Sequence, residues 1–226
     1  MMKRLNEIEM FESLGYAAGV VGRSDWGTQE RIYDFLAAGI NAEKSDIIVP
    51  KQTHSADIAF VDNGPSSGVI YADGLLSESA DICLTVRTAD CIPLIFAEPS
   101  GLFGIVHVGW RGFAAGIIDE LFVEVRNKGY NAENSSVYIG PSIGKCCFEV
   151  GDEVAVLFDY DFVSEQKGRF YVDLPKAVGN IISSYGVKET NVGMSSECTC
   201  CDGEKFYSYR REGAAPIQMV SYIRKK

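Results

Sequence analysis

Two apolar runs near the middle of the chain constrain its fold more than any other part: IPLIFA at 92–97 and LFGIVHV at 102–108. Continuous apolar runs of this length, bounded by turn residues, read as buried strands. The turn between them, Glu98-Pro99-Ser100-Gly101, predicts a hairpin. Each strand carries a reactive side chain at one end: Cys91 just before the first, His107 near the end of the second. Gly109-Trp110-Arg111-Gly112 follows, a loop leading into an apolar helix. The chain has only two histidines, and the other, His54, ends the polar motif Lys51-Gln52-Thr53-His54.

The rest of the chain supplies further strands and a few helices. Residues 1–24 give a short opening element and the strand YAAGVV. Thr28-Gln29-Glu30-Arg31 starts a helix whose stripe is Ile32, Phe35 and Leu36, with Gly39 as its stop. DIIVPKQ is expected as a strand that delivers His54, with DIAFVD as its hairpin neighbour. Asn63-Gly64-Pro65-Ser66-Ser67-Gly68 is a loop. VIYADGLLS reads as a strand with an Asp73-Gly74 turn, and ICLTVRT as a buried strand. A helix is expected over Phe113–Lys128, closed by Gly129, then the strand SVYIG. Beyond these come a helix over Asp152–Phe158, the strand FYVDL, and a helix from Pro175 to Gly186. FYSYRR and IQMVSYIRK close the chain as strands. Strands outnumber helices and often follow one another, so the expected class is α+β with a mixed, layered sheet core and flanking helices. A single catalytic domain over 1–226 is expected.

Composition narrows the functional classes. With 31 acidic against 21 basic residues the net charge is −10, which argues against a nucleic-acid binder. A few arginines can still reverse the field locally for a small anion. The first residues lack the apolar core of a secretory signal, and no run approaches a membrane span. Seven cysteines are an odd number, kept reduced in a cytosolic chain. The expected location is the cytoplasm, without membrane or nucleic-acid partners, as a monomer or homodimer.

Both histidines sit at strand ends in polar or glycine-flanked settings, where a rigid scaffold presents functional groups. Cys91 is a small core residue, a nucleophile paired with His107, or a soft metal ligand. His54, Cys91 and His107 together would give two imidazoles and one thiolate, three protein ligands being the count of a catalytic zinc with an open fourth position. Cys146, Cys147, Cys198, Cys200 and Cys201 form a competing group. Five thiols could furnish a four-thiolate metal site, but only Cys198 and Cys201 have C-x2-C spacing and no matching pair exists, so reduced thiols are the favoured reading. Arg111, Arg210 and Arg211 are candidate anion anchors. Asp57, Asp73 and Asp90 are the carboxylates nearest the candidates, available as general base or to orient a ligand.

The motifs KQTH, ADG, TADCIPLIF, HVGWRG, IGPSIGKCCFEV, DL and CT with FYSYRR follow in that order from Lys51 to Arg211. The set resembles the YfiH-type family, long labelled multicopper polyphenol oxidase or laccase-domain proteins. The resemblance implies a fold related to the catalytic domain of cytotoxic necrotizing factor, cysteine-hydrolase-like in its layering. It also implies one Zn2+ per chain on His54, Cys91 and His107, and zinc-dependent purine nucleoside chemistry. That chemistry is phosphorolysis of adenosine, inosine and S-methyl-5'-thioadenosine, together with deamination of adenosine. On this reading Asp73, Asp90 and Arg111 are the catalytic candidates, while Gln52, Arg111, Ser208 and Arg210 contact substrate and phosphate. The laccase label fails on arithmetic, because two histidines cannot furnish the imidazole-rich copper sites of a multicopper oxidase. Two other readings stay open: a cysteine hydrolase or deamidase on Cys91 and His107, and a non-catalytic zinc-stabilised binding domain.

Overall fold

The hairpin forms where the apolar runs place it. Strands β7 (Ile92–Ala97) and β8 (Phe103–Val108) pair antiparallel with Ile92 opposite Val108, and every residue of both is buried. The computed structural model describes all of the chain except residues 1–4, 25, 63–67 and 215, so most of the loop expected at 63–68 lies outside the described residues.

Both faces of the hairpin are covered, and the side-chain period of two sorts them. Leu94, Phe96, Val106 and Val108 share an apolar cluster with Ile118, Leu121 and Phe122 of helix α3 (Ile117–Asn127) and with Ala177, Val178 and Ile182 of helix α5 (Leu174–Ser184). Ile95, Ala97, Phe103 and Ile105 point the other way, against a second sheet. The hairpin belongs to a six-stranded sheet ordered β13 (Val192–Met194), β9 (Ser136–Ile139), β7, β8, β5 (Gly74–Ser77) and β4 (Ile58–Phe60). The second sheet runs β1 (Asn6–Glu7), β2 (Tyr16–Val21), β14 (Met219–Lys225), β6 (Cys83–Thr88) and β3 (Ile47–Ile48). Its far face, with Val20, Val220 and Tyr222, is covered by Ile32 and Leu36 of helix α1 (Gln29–Gly39). The layers are therefore helices, sheet, sheet, helix. Each aliphatic or aromatic side chain so buried contributes roughly 1.5–3 kcal/mol, so the hairpin is a rigid frame for anything at its ends.

Both large sheets mix parallel and antiparallel pairs, as the α+β expectation requires: β13 pairs parallel with β9, β3 with β6 and β4 with β5. A third, small sheet is ordered β10 (Glu149–Val150), β12 (Arg169–Val172) and β11 (Val163–Gln166). No helix among the described residues is long and apolar enough to cross a membrane.

Several local expectations are corrected. Ile58–Phe60 does not return on β3 as a hairpin; it pairs parallel with β5 at the edge of the other sheet. Asp73-Gly74 is no turn, because Gly74 opens β5 and Asp73 is fully buried. The helix expected over Phe113–Lys128 is two helices, α2 (Trp110–Ala114) and α3, separated where Gly116 turns left-handed at φ 84°. The helix expected over Asp152–Phe158 is shorter, α4 (Asp152–Ala155). FYSYRR is not a strand: Ser208 caps a one-turn helix, α6 (Tyr209–Glu212), by accepting the N–H of Arg211.

Candidate metal centre

Strand register decides which side chains meet. Gly74 faces Val106 across β5 and β8, so Asp73 stands beside His107, whose N–H donates to the Asp73 carbonyl at 2.7 Å. On the other side of β8, Ile92 faces Val108, which sets Cys91 opposite Gly109. Gly109 matters because it lacks a side chain. A Cβ there would lie 3.0 Å from Sγ of Cys91 and 3.1 Å from Cδ2 of His54, so both side chains occupy space that any other residue would take.

His54 comes from the loop after β3 and adopts φ 60°, a left-handed conformation uncommon outside glycine. Asp73 holds that loop in place. Its Oδ1 accepts the N–H of His54 at 3.0 Å, and its Oδ2 accepts the N–H groups of Thr53 at 3.0 Å and Ser55 at 2.8 Å. The hydroxyls of Thr53 and Ser55 add to the same oxygen. Nδ1 of His107 completes the set, 2.7 Å from Oδ1. The ligating atoms of His54, Cys91 and His107 then lie within 4.8 Å of one another. The two imidazoles meet edge to face, their centroids 4.8 Å apart.

The electrostatics follow from this packing. Burial alone would raise the pKa of Asp73, but the His107 hydrogen bond and the amides of Ser55 and Thr53 more than reverse it, and the carboxyl is held well below the usual carboxylate range. Burial would lower that of His107; Asp73 and Cys91 outweigh it and raise it to about 9. Cys91 is likewise penalised by burial, yet His107 and His54 bring its thiol down to about 7. With Nδ1 committed to Asp73, Nε2 of His107 is the nitrogen left to face Cys91. Two imidazoles and an easily ionised thiol, converging and oriented by a buried carboxylate, fit the donor set of a borderline divalent ion. His54 is exposed and His107 buried, so the centre lies at the protein surface with its support beneath it.

The remaining candidate residues are placed differently. Asp90, with φ 94°, is buried and accepts from Thr199 Oγ1 at 2.6 Å, Ser208 Oγ at 3.0 Å and the N–H of Arg210 at 2.7 Å. Asp73 and Asp90, expected as catalytic carboxylates, are thus both engaged inside the protein, an arrangement for positioning residues. Gln52 and Ser208, expected to contact substrate, also spend their polar groups internally. Gln52 exchanges two hydrogen bonds with the backbone of Arg87, and Ser208 serves Asp90 and the α6 cap. The guanidinium of Arg210 donates to the carbonyls of Cys147 and Glu149, both at 2.8 Å. Arg111 is exposed on the first turn of α2, its guanidinium 4.3 Å over the ring of Trp110. Gly109 and Thr199 escaped the sequence reading. A glycine directly opposite a candidate cysteine in the predicted hairpin was the available signal for the first; for the second there was none.

The family model described as multi-copper polyphenol oxidoreductase laccase matches residues 22–226. The chain belongs to this laccase-like family. Among its relatives is a purine nucleoside phosphorylase, YlmD, of Geobacillus stearothermophilus, 32% identical over 192 residues, covering 76% of this chain and 70% of that one. Adenosine deaminase RL5, from an unknown prokaryotic organism, is 29% identical over 195 residues, covering 79% of this chain and 74% of its own. The crystal structure of YlmD from Geobacillus stearothermophilus superposes with a TM-score of 0.88 at 24% identity over 100% of this chain and 98% of that one, which shows the shared fold. The laccase-like family thus includes proteins named for purine nucleoside chemistry, and the copper in its description does not suit a chain with two histidines.

Proposed function

We propose that this chain is a zinc-dependent purine nucleoside enzyme, acting as a phosphorylase on adenosine, inosine and S-methyl-5'-thioadenosine and as a deaminase on adenosine. The observation that carries the reading is the convergence of His54, Cys91 and His107 within 4.8 Å. Relatives named for both activities support the choice of substrate.

Zinc, when bound, supplies Lewis acidity to an electron-rich atom of substrate or solvent. The protein does the rest. His54, Cys91 and His107 hold the ion; Asp73 fixes the His107 tautomer and the His54 loop; Asp90 secures the backbone that leads into Cys91. Arg111 anchors the phosphate, since a guanidinium stacked on Trp110 and open to solvent can meet an oxyanion with paired donors. In phosphorolysis a phosphate oxygen bonds to C1′ as the C1′–N9 bond breaks, and the bonding pair and a proton pass to the base. In deamination a water oxygen bonds to C6 of adenine and ammonia departs.

The test is to incubate chain of known zinc content with adenosine, with and without phosphate, and to separate the products by chromatography. Adenine formed only with phosphate supports phosphorolysis, and inosine formed without phosphate supports deamination. If His54→Ala keeps both its zinc and its full activity, the reading is wrong. Full activity after complete chelation of metal, abolished by alkylation of Cys91, would favour the cysteine hydrolase instead.

A further inference from the structure

A second group of soft ligands lies outside this centre. The sulfur atoms of Cys146, Cys147, Cys198 and Cys201 all lie within 4.8 Å of one another. Cys201 is 3.6 Å from Cys146 and 3.4 Å from Cys147. Their spacing in the chain did not predict this; the fold does it. Ser142 bridges to Cys198 and accepts the N–H of Thr199 at 3.0 Å, which lays the loop around 198–203 along the loop around 142–147. All of these thiols are free.

We propose that Cys146, Cys147, Cys198 and Cys201 form a four-thiolate site for a soft divalent cation, zinc first, distinct from the His54, Cys91 and His107 centre. Four sulfurs arranged tetrahedrally at ~2.3 Å from one ion stand about 3.8 Å apart, close to the separations seen here. The surroundings favour a thiolate at Cys198. The amide of Gly144 donates to Sγ of Cys198 at 3.2 Å, and the amides of Cys200 and Cys201 turn to the same sulfur. Two arginines flank the loops: Arg210 donates to the carbonyl of Cys147, and Arg211 to those of Thr199 and Cys200. Cations so placed offset the net negative charge of a divalent ion on four thiolates. Cys146 and Cys201 are exposed, which gives the ion a way in from solvent. Loading is an exchange of protons for metal. Each of the four thiols forms a sulfur–metal bond and releases its proton to buffer, and nothing is oxidised or reduced. The ion would cross-link the loop whose Thr199 donates to the Asp90 carboxylate to the loop whose Ile143 N–H donates to the Asp90 carbonyl, one residue from Cys91.

The experiment uses the full chain purified under reducing conditions, with metal content read by mass spectrometry and cobalt(II) substitution read by absorption. The expected content is about two zinc ions in the wild type, and about one in both Cys198→Ser/Cys201→Ser and His54→Ala/His107→Ala. Cobalt in the histidine variant should give the intense thiolate-to-metal charge-transfer bands of a tetrahedral tetrathiolate. The histidine variant isolates this site from the purine reading, because its metal binding is independent of activity. Equal metal content in the wild type and the cysteine variant overturns the proposal. If the cysteine variant does not fold, the cobalt spectrum of the histidine variant decides alone, and absence of the tetrathiolate bands overturns it.

Discussion

Asp73 receives Nδ1–H of His107 on Oδ1 at 2.7 Å while its other oxygen holds the amides of Thr53 and Ser55. One buried carboxylate therefore orients a candidate ligand on β8 and shapes the loop that carries another. Asp73→Asn keeps the shape but removes the charge and one acceptor. Zinc affinity should fall about 10- to 100-fold, measured by competition with a chelator of known affinity. Activity should return when excess zinc is supplied. Unchanged affinity would remove Asp73 from its role.

Gly109→Ala tests the space beside the ligands. Its backbone, at φ −90°, suits alanine, so the fold should survive. The new Cβ would meet Cys91 and His54 at 3.0 and 3.1 Å. Circular dichroism should match the wild type while turnover and one of about two bound zinc ions are lost. Retention of both would show that the two side chains can give way.

Metal uptake should be pH-dependent with a sign set by Cys91 and His107. Their pKa values, about 7 and about 9, belong to the metal-free protein. Below about 7 a metal must displace a proton from each; between about 7 and 9 only from His107; above about 9 from neither. From these two groups apparent affinity rises about tenfold per pH unit for each proton displaced, so the rise is steepest on the acid side and ends above about 9. Calorimetric titration of the Cys198→Ser/Cys201→Ser variant, in buffers of different ionisation enthalpy, counts the protons released at this centre. An affinity that falls with rising pH across this range would contradict the assignment.

Thr199 and Asp90 are far apart in sequence but joined by a buried 2.6 Å hydrogen bond. Thr199→Val leaves a charged acceptor short of a donor, and stability should drop by about 1.5–3 kcal/mol, read by urea denaturation. Thr199→Ser should restore most of it. A valine variant as stable as the wild type would mean the bond contributes nothing net.

The hairpin was legible because its apolar runs are continuous and bounded by Glu98-Pro99-Ser100-Gly101, and the three candidate ligands because two lie at its ends and the chain has only one other histidine. FYSYRR misled because aromatic alternation imitates a strand, whereas its arginines are held by loop carbonyls distant in sequence. The partner of Ile58–Phe60 was misread because a parallel pairing leaves no turn between adjacent strands to mark it. Asp73 looked like turn chemistry, since neither Gly nor Asp reports which partners the fold will bring. The five late cysteines stood out as a group, but their spacing argued against a four-thiolate site because their halves are brought together by a loop bridge at Ser142 and Cys198 that no spacing reports.

The parallel pairing of β4 with β5 has a consequence for the order of assembly. Cys91 and His107 come together as soon as a short-range hairpin closes, an event of about 1–10 μs in isolated hairpins. The loop bearing His54 is fixed only when Asp73 is in place at the head of β5, which depends on docking across the edge of the sheet. High-affinity ion capture must therefore come after this non-local closure, which is slow relative to local contacts. In a refolding chain, the moment of zinc retention at this centre is a clock for the docking of β5 on β8.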